Sequence, residues 1–304
     1  MPKLAAFPKG FFDAIVQRRM TVFQWIDLAG RLELQGAELS PKFLDSFESP
    51  YLAKVRKEAA TRGLELPMFC YSPDFTQLDP ADRKRELEEA RDMIRVTAEL
   101  GGKYCRVLSG QNRPGLVEAE ALKWVVDCLW QLEATAKAAG ILMCLENHYK
   151  DNLWTYPEFA QSHRRYLAIL DAVNSPWLKA QYDPSNAIVA GEDQYALLDR
   201  VLPRVATMQA SDRYLEGGTI QDLKGMARDP QHGYAKIIRH GVIGNGLNDY
   251  DRIFSTMARA GYNGWISIED GEGPTLEIGF ENLRLSAQFL REKFAQHFKG
   301  VAVG

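Results

Sequence analysis

Oxygen-bearing side chains end four apolar, strand-like runs in this chain. Three of the runs end in a carboxylate and one in an amide, and the four terminal residues are Glu146, Asp183, Gln209 and Glu269. Short apolar runs of this kind, such as residues 141–145, are typical of buried parallel strands. The ends of such strands meet on one face of a barrel, so we expect the four side chains to lie close together.

Three like charges at one mouth repel one another unless a cation offsets them. Carboxylate and amide oxygens suit Mn²⁺ or Mg²⁺. We therefore predict one divalent ion per chain, Mn²⁺ (or Mg²⁺ or Co²⁺), held by Glu146, Asp183, Gln209 and Glu269. Taken singly, each acid has a simpler explanation as a solvated loop residue or a helix cap. That explanation applies best to Asp183, which begins the turn-like sequence Asp-Pro-Ser-Asn.

Further candidates lie beside these strand ends. His148 is two residues beyond Glu146, which places both on one side of the strand, and its imidazole suits an acid, a base or a structural hydrogen bond. Glu38, at the end of a predicted strand over residues 34–39, is a candidate for contact with substrate hydroxyls or a solvated acid. Trp154 and Tyr214 are candidates for stacking on a sugar ring, with packing as the alternative.

Composition excludes several classes of protein. The chain has 304 residues, 46% apolar and 25% charged, with 37 Lys and Arg against 40 Asp and Glu, so nothing favours nucleic acid as a partner. The four cysteines form no CxxC pair and are predicted to be buried thiols. Neither a signal peptide nor a bilayer-length apolar segment is evident, which gives a cytoplasmic location and no membrane partner as the default.

Strand-like runs alternate with amphipathic helical stretches along most of the chain. About eight strand–helix units predict parallel strands joined by crossover helices. An open sheet is the alternative, but the glycine cluster at residues 241–246 lacks the spacing of a nucleotide-binding fingerprint. The fold class predicted is therefore α/β, a single (β/α)8 TIM barrel domain over residues 1–304.

A long loop is predicted between the seventh strand and the seventh helix. Residues 212–246 are rich in glycine and basic residues, and a loop of this length in a compact domain is usually functional or disordered. Its position after a late barrel strand predicts a lid or pocket wall over the catalytic face, with a loose insertion as the alternative.

Four motifs carry a resemblance to a known superfamily. The chain resembles the xylose isomerase-like barrels, a group of sugar phosphate isomerases and epimerases that also includes endonuclease IV. The motifs are the segments 145–148 (LENH), 182–186 (YDPSN), 208–213 (MQASDR) and 268–270 (IED). An endonuclease is disfavoured, because those enzymes use several metals held by many histidines and this chain has five histidines.

The resemblance implies a ligand set of Glu, Asp, His and Glu around one divalent ion, with the two glutamates exchanging protons with a keto-sugar. Glu146, Asp183 and Glu269 match that set, whereas Gln209 stands where the family usually has His. Asn186 stands where many members have a second His. The remaining substrate-binding candidates, from the same motifs and the long loop, are Asp212, Arg213 and His240.

The leading hypothesis is a metal-dependent isomerase or epimerase of a free sugar, in which Glu146 and Glu269 flank the substrate. One carboxylate removes the proton next to a carbonyl, and a second acid returns it elsewhere on the enediolate. The runner-up is a lyase-type C-glycoside deglycosidase acting on 3-keto glycosides, with His148 as the general base and a small partner subunit. A non-catalytic sugar-binding barrel is the third hypothesis, and a homo-oligomer remains open for each.

Overall fold

Eight parallel strands surround the centre of the molecule in the computed structural model, which describes residues 1–223, 226 and 233–298. The ten strands of the described residues are β1 (Lys3–Ala6), β2 (Gly36–Ala37), β3 (Met68–Cys70), β4 (Tyr104–Val107), β5 (Leu142–Glu146), β6 (Leu178–Tyr182), β7 (Val205–Ala210), β8 (Arg213–Leu215), β9 (Ile238–His240) and β10 (Trp265–Ile268). All except β8 and β9 belong to one sheet, in the order β2-β1-β10-β7-β6-β5-β4-β3.

The two ends of this sheet meet, so the strands form a (β/α)8 barrel. Backbone hydrogen bonds join Leu39, which lies two residues after β2, to strand β3. The Cys70 N–H donates to the Leu39 carbonyl at 2.7 Å, and the Leu39 N–H donates to the Met68 carbonyl at 3.3 Å. Neighbouring strands pair in parallel around the whole ring. The predicted barrel is confirmed.

Helices occupy most of the connections between the barrel strands. They are α1 (Phe12–Val16), α2 (Val22–Arg31), α3 (Ser49–Thr61), α4 (Pro80–Glu99), α5 (Glu118–Ala139), α6 (His163–Val173), α7 (Pro184–Val189), α8 (Gln194–Val201), α9 (Ile220–Leu223), α10 (Tyr250–Arg259) and α11 (Leu276–His297). Among the described helices, none is long and apolar enough to cross a membrane.

The sequence predicts helices over residues 80–100, 117–139 and 194–201, and these limits agree with α4, α5 and α8 to within a residue, because strong local signals mark them. Helix α5, for example, ends at Gly140, whose φ of 69° is in the left-handed region that glycine favours. The sequence also predicts one helix over residues 156–173, and this prediction is wrong in its first half. Phe159–Gln161 forms a separate 3-10 turn, and α6 begins after Ser162, whose side chain caps it by accepting from Arg165 N at 3.4 Å. The strand predicted over 34–39 contracts to β2, since neighbouring strands pair with only part of it.

The long loop after β7 has structure of its own. Strand β8 pairs antiparallel with β9, and α9 lies between them in the chain. Buried apolar residues beneath this hairpin form a second, smaller cluster that includes Tyr149, Tyr234 and Ile238. Residues 224–225 and 227–232 of the predicted lid lie outside the described residues, and its role as a lid stays a prediction.

Candidate metal centre

Three buried carboxylates meet at the carboxyl ends of the barrel strands. Glu146 is the last residue of β5, Asp183 follows β6 directly, and Glu269 follows β10 directly. One carboxylate oxygen from each lies within 4.8 Å of the other two. Convergence of strand ends therefore brings together acids that are 37 and 86 residues apart in the chain, as the pattern of strand-end acids predicts.

Asp183 is fixed in place by its neighbours on both sides of β6. The Asn147 side chain donates to the Asp183 carbonyl at 2.7 Å and accepts from the Asp183 N–H at 2.8 Å. The Asp183 carboxylate caps α7, accepting from Asn186 N at 3.0 Å, and also accepts from the Ser211 hydroxyl at 2.9 Å. The helix-cap explanation and the metal-ligand explanation are thus compatible, because a carboxylate has about four acceptor sites.

Glu146 is held by two donors on opposite oxygens. The Arg106 guanidinium contacts Oε2 at 3.1 Å, and the Asn186 amide donates to Oε1 at 3.1 Å. Arg106 is buried and also donates to the Ser72 hydroxyl at 2.7 Å, which fixes the plane of its guanidinium. Asn186 thus lies at the triad, bonded to a carboxylate of the protein.

Glu269 has a different partner and more open surroundings. The Lys9 ammonium lies 3.9 Å from Glu269 Oε1 and donates to the Tyr149 hydroxyl at 3.1 Å. Glu269, Lys9, Arg106 and His148 line a narrow cavity of about 20 Å³ beneath the mouth. Lys9 and Tyr149 also line the outer cavity at the mouth, whose volume is about 720 Å³, so Lys9 borders both spaces.

The electrostatics of the triad are those of an incompletely compensated acidic site. Burial, followed by the charge of Glu269, raises the pKa of Glu146 well above 4.5 and the pKa of Asp183 to about 7. Burial lowers the pKa of Lys9 and of Arg106, but nearby negative groups outweigh it and raise both pKa values. The carboxylates thus repel one another despite the nearby cations Lys9, Arg106 and Arg213, and a divalent ion would offset that repulsion.

Gln209 supplies a further oxygen that fits a cation. Its Nε2 donates to Glu38 Oε2 at 2.7 Å, whereas its Oε1 is buried and has no hydrogen-bond partner among the described residues. Tyr182 pairs with Met208, so Gln209 is level with Asp183 on the neighbouring strand. A buried carbonyl oxygen together with three carboxylates is a donor set that hard divalent ions prefer. The chemistry of the residues present therefore fits a divalent metal ion held by Glu146, Asp183, Gln209 and Glu269.

Glu38 lies inside the barrel and is almost completely buried. Besides Gln209, its carboxylate accepts from the Cys70 thiol at 3.6 Å. Burial raises the pKa of Glu38 to about 7, and the hydrogen bond from Gln209 opposes that rise. The Glu38 carboxylate therefore accepts a hydrogen bond from the Gln209 amide inside the barrel. It is buried, whereas the sequence-based alternative was a solvated acid.

His148 borders the narrow cavity with a buried, neutral ring. Its imidazole stacks on Tyr149, with ring centroids 4.9 Å apart, and its Nδ1 has no hydrogen-bond partner in the described part of the chain. Burial, followed by the charges of Arg106 and Lys9, lowers the pKa of His148 well below 6.5. A neutral imidazole with an open nitrogen suits the acceptance of a proton.

Asp212 anchors the long loop. Its carboxylate accepts from the backbone N–H groups of Gly244, Gly246 and Asn248 at 3.0 to 3.2 Å. A side chain at Gly246 would collide with this carboxylate, so glycine is required there. These three hydrogen bonds tie the start of the loop to its end.

The remaining predicted substrate contacts, Arg213, His240 and Trp154, differ in burial and in whether they line a cavity at the mouth. Arg213 is buried, contacts the His240 ring and lies over the Tyr149 ring at 5.8 Å, and His240 lines the outer cavity. Trp154 is half-buried in the loop after β5, where its backbone N–H donates to the Asp151 carbonyl at 3.0 Å. It is absent from the residues that line the two cavities at the mouth, as far as the described chain extends.

Sequence reasoning missed the two cations of the site. Arg106 lies in the middle of β4 between the buried residues Cys105 and Val107, and Lys9 lies in a 3-10 turn just after β1. A charge inside an apolar strand was the available signal for Arg106, since such a residue needs a buried partner. Lys9 gave no signal, because the turn that directs it towards Glu269 depends on the assembled barrel.

Comparison with known proteins agrees with this geometry. The family model described as xylose isomerase-like TIM barrel matches residues 26–293. The chain belongs to this family. Among family relatives, an inosose dehydratase of Bacillus thuringiensis (strain Al Hakam) is 22% identical over 252 residues, covering 79% of this chain and 80% of the relative. An inosose dehydratase of Geobacillus thermodenitrificans (strain NG80-2) is 21% identical over 273 residues, covering 84% of each.

Solved structures share the xylose isomerase-like barrel. A D-psicose 3-epimerase from Clostridium cellulolyticum H10, solved with D-tagatose, has a TM-score of 0.73 at 13% identity and covers 95% of this chain and 98% of its own. The IolI protein, solved with a zinc atom bound, has a TM-score of 0.73 at 17% identity and covers 98% and 99%. These likenesses establish the fold.

Proposed function

We propose that this xylose isomerase-like barrel catalyses metal-dependent proton transfer at the carbon next to the carbonyl of a small polyhydroxylated ketone. The product of the simplest version is an isomerised or epimerised keto-sugar. The observation that carries the proposal is the buried triad of Glu146, Asp183 and Glu269, with oxygens within 4.8 Å of one another. When bound there, a divalent ion polarises the carbonyl and offsets the negative charge that develops beside it.

The two glutamates have unequal roles in this proposal. Both oxygens of Glu146 already accept hydrogen bonds, from Arg106 and from Asn186, so we assign it to metal binding. Glu269 borders the narrow cavity, and its ion-pair partner among the residues described is Lys9, whose ammonium lies 3.9 Å away. We therefore assign removal of the proton to Glu269, which revises the symmetric glutamate pair expected from sequence.

The return of the proton is assigned to His148, whose open Nδ1 first accepts the proton from Glu269 and then, as part of an imidazolium, donates it to the enediolate. Its ring lines the same cavity as Glu269, and its Nδ1 is without a partner among the described residues. Two proton carriers that border one cavity allow a proton to leave and return at different positions of a bound ketone. The Lys9 ammonium, which donates a hydrogen bond only to Tyr149 in the described chain, stabilises an oxyanion formed nearby.

Dehydration is a second candidate, which the inosose dehydratase relatives favour. The first step is the same removal of a proton next to the carbonyl. The β-hydroxyl then leaves as water after taking a proton from Lys9, and a carbon–carbon double bond forms between the two carbons. The outer cavity of about 720 Å³ has room for a cyclic polyol ketone or a keto-hexose.

For the metal we propose Mn²⁺, with Mg²⁺ and Co²⁺ as alternatives. The four oxygen donors come from Glu146, Asp183, Gln209 and Glu269. Carboxylate and carbonyl oxygens suit Mn²⁺ and Mg²⁺, whereas a ligand set that contains imidazole suits zinc.

Uptake of deuterium from D₂O tests the proposal. Chelator-treated protein is incubated with Mn²⁺ and a panel of keto-hexoses and cyclic polyol ketones, and the products are followed by NMR. We expect exchange next to the carbonyl of at least one substrate and its loss in Glu269→Gln. Deuterium in an epimer supports isomerase chemistry, whereas an unsaturated ketone supports dehydration. Failure of the whole panel to exchange in the presence of bound Mn²⁺ contradicts proton transfer.

A further inference from the structure

Glu38 and Gln209 form a buried, hydrogen-bonded pair inside the barrel. Glu38 follows β2 and is tied to β1 by a backbone hydrogen bond from its N–H to the Ala6 carbonyl at 2.8 Å. Its Oε2 accepts from Gln209 Nε2 at 2.7 Å. The pair thus links two segments that are 171 residues apart in the chain.

This hydrogen bond decides which way the Gln209 amide faces. The ionised carboxylate of Glu38 offers only acceptors, so it holds the NH₂ end of the amide towards itself. Rotation of the amide by 180° would place its oxygen against a carboxylate oxygen and lose the bond. The Gln209 Oε1 is therefore left as the free end, and it has no partner among the described residues.

The free oxygen belongs to the residue beside Asp183. Strands β6 and β7 pair with Tyr182 opposite Met208, so the next residues along, Asp183 and Gln209, are neighbours at the mouth. Side chains two apart on a strand face the same way, which places Gln209 on the interior side with Ser211, whose hydroxyl donates to the Asp183 carboxylate.

We propose that Glu38 is a positioning residue that orients the Gln209 amide, so that its oxygen completes the ligand set of a divalent ion. This inference rests on the proposed function, since it assumes a metal at the triad. A negative charge behind the NH₂ group also polarises the amide and makes its oxygen a stronger donor. Without Glu38, the amide rotates freely and presents either end to the ion.

Binding of Mn²⁺ by calorimetry and the visible spectrum of bound Co²⁺ test this role. Glu38→Met removes the acceptor at similar volume, and we expect Mn²⁺ affinity to fall by about 10–100-fold, with a changed Co²⁺ spectrum. Gln209→Met should show the same loss. Glu38→Gln should stay close to the wild type, because its amide oxygen still accepts from Gln209. Cys70→Ala, which removes another contact of Glu38, is the matched control and should leave both readouts unchanged.

The double variant Glu38→Met with Gln209→Met distinguishes positioning from general destabilisation. If Glu38 acts through Gln209, the double variant loses no more affinity than Gln209→Met alone. Additive losses of affinity in the double variant overturn the proposal. Wild-type affinity in Glu38→Met or in Gln209→Met also overturns it, and the Gln209→Met result is informative even if Glu38→Met does not fold. A wild-type protein that binds no Mn²⁺ overturns the metal centre itself, which is a separate result.

Discussion

Replacement of Asn147 by Ala should damage both the fold and the metal centre. Asn147 lies between the ends of β5 and β6, and its side chain satisfies both backbone groups of Asp183, at 2.7 Å and 2.8 Å. Each buried group left without a partner costs ~1–3 kcal/mol, so the expected loss in the free energy of unfolding is ~2–6 kcal/mol. At the central values, a loss of ~4 kcal/mol from a total of ~10 kcal/mol leaves the variant folded.

The assay is thermal denaturation followed by circular dichroism, with and without Mn²⁺. At roughly 2–4 °C per kcal/mol, a loss of ~4 kcal/mol lowers Tm by roughly 8–16 °C. Because Asp183 loses its alignment, Mn²⁺ affinity should also fall by about 10–100-fold. Asn282→Ala is the control, since its exposed amide donates only to the Glu272 carbonyl among the described groups and should cost less than ~0.5 kcal/mol. A Tm within 2 °C of wild type (roughly 0.5–1 kcal/mol) with unchanged affinity would refute this reasoning.

Three further changes probe separate features. Burial raises the pKa of Glu158 to about 8, above its unfolded value of ~4.3, so the folded state retains a proton that the unfolded state releases and stability falls as pH rises between these values. Glu158→Gln should flatten that fall in Tm measured from pH 5 to pH 8, and parallel curves would contradict it. Gln209→His should shift preference from Mn²⁺ towards Zn²⁺ in a competition titration, because imidazole suits zinc; an unchanged ratio would speak against Gln209 as a ligand. Lys9→Met should keep Mn²⁺ affinity but slow turnover by ~10²–10⁴-fold if Lys9 transfers a proton, and full activity would remove Lys9 from the mechanism.

The barrel was predictable because its signals are local. Alternating apolar runs and amphipathic stretches mark the strands and helices, and features such as Gly140 mark where a helix ends. The place of Glu146, Asp183 and Glu269 followed from one further rule, that parallel strand ends share a face.

The surroundings of the triad were less predictable because they depend on contacts between distant segments. Arg106 reaches Glu146 from the neighbouring strand, and Lys9 reaches Glu269 from the other end of the chain. Nothing in the sequence indicated that the Asp212 carboxylate binds the backbone N–H groups of Gly244 and Gly246, more than 30 residues away. Such partners carry no sequence pattern, since any residue offers a backbone N–H.

The binding stoichiometry of Mn²⁺ tests most directly the claim that three strand-end carboxylates form a metal centre. Chelator-treated wild-type protein and the variant Glu269→Gln are titrated with Mn²⁺ in a calorimeter, with elemental analysis of the protein as purified. The account predicts about one ion per wild-type chain and the loss of most binding in the variant, because removal of one carboxylate from the triad removes both a ligand and a charge. A wild-type protein that holds no divalent ion and gains no thermal stability from added Mn²⁺ would contradict the account.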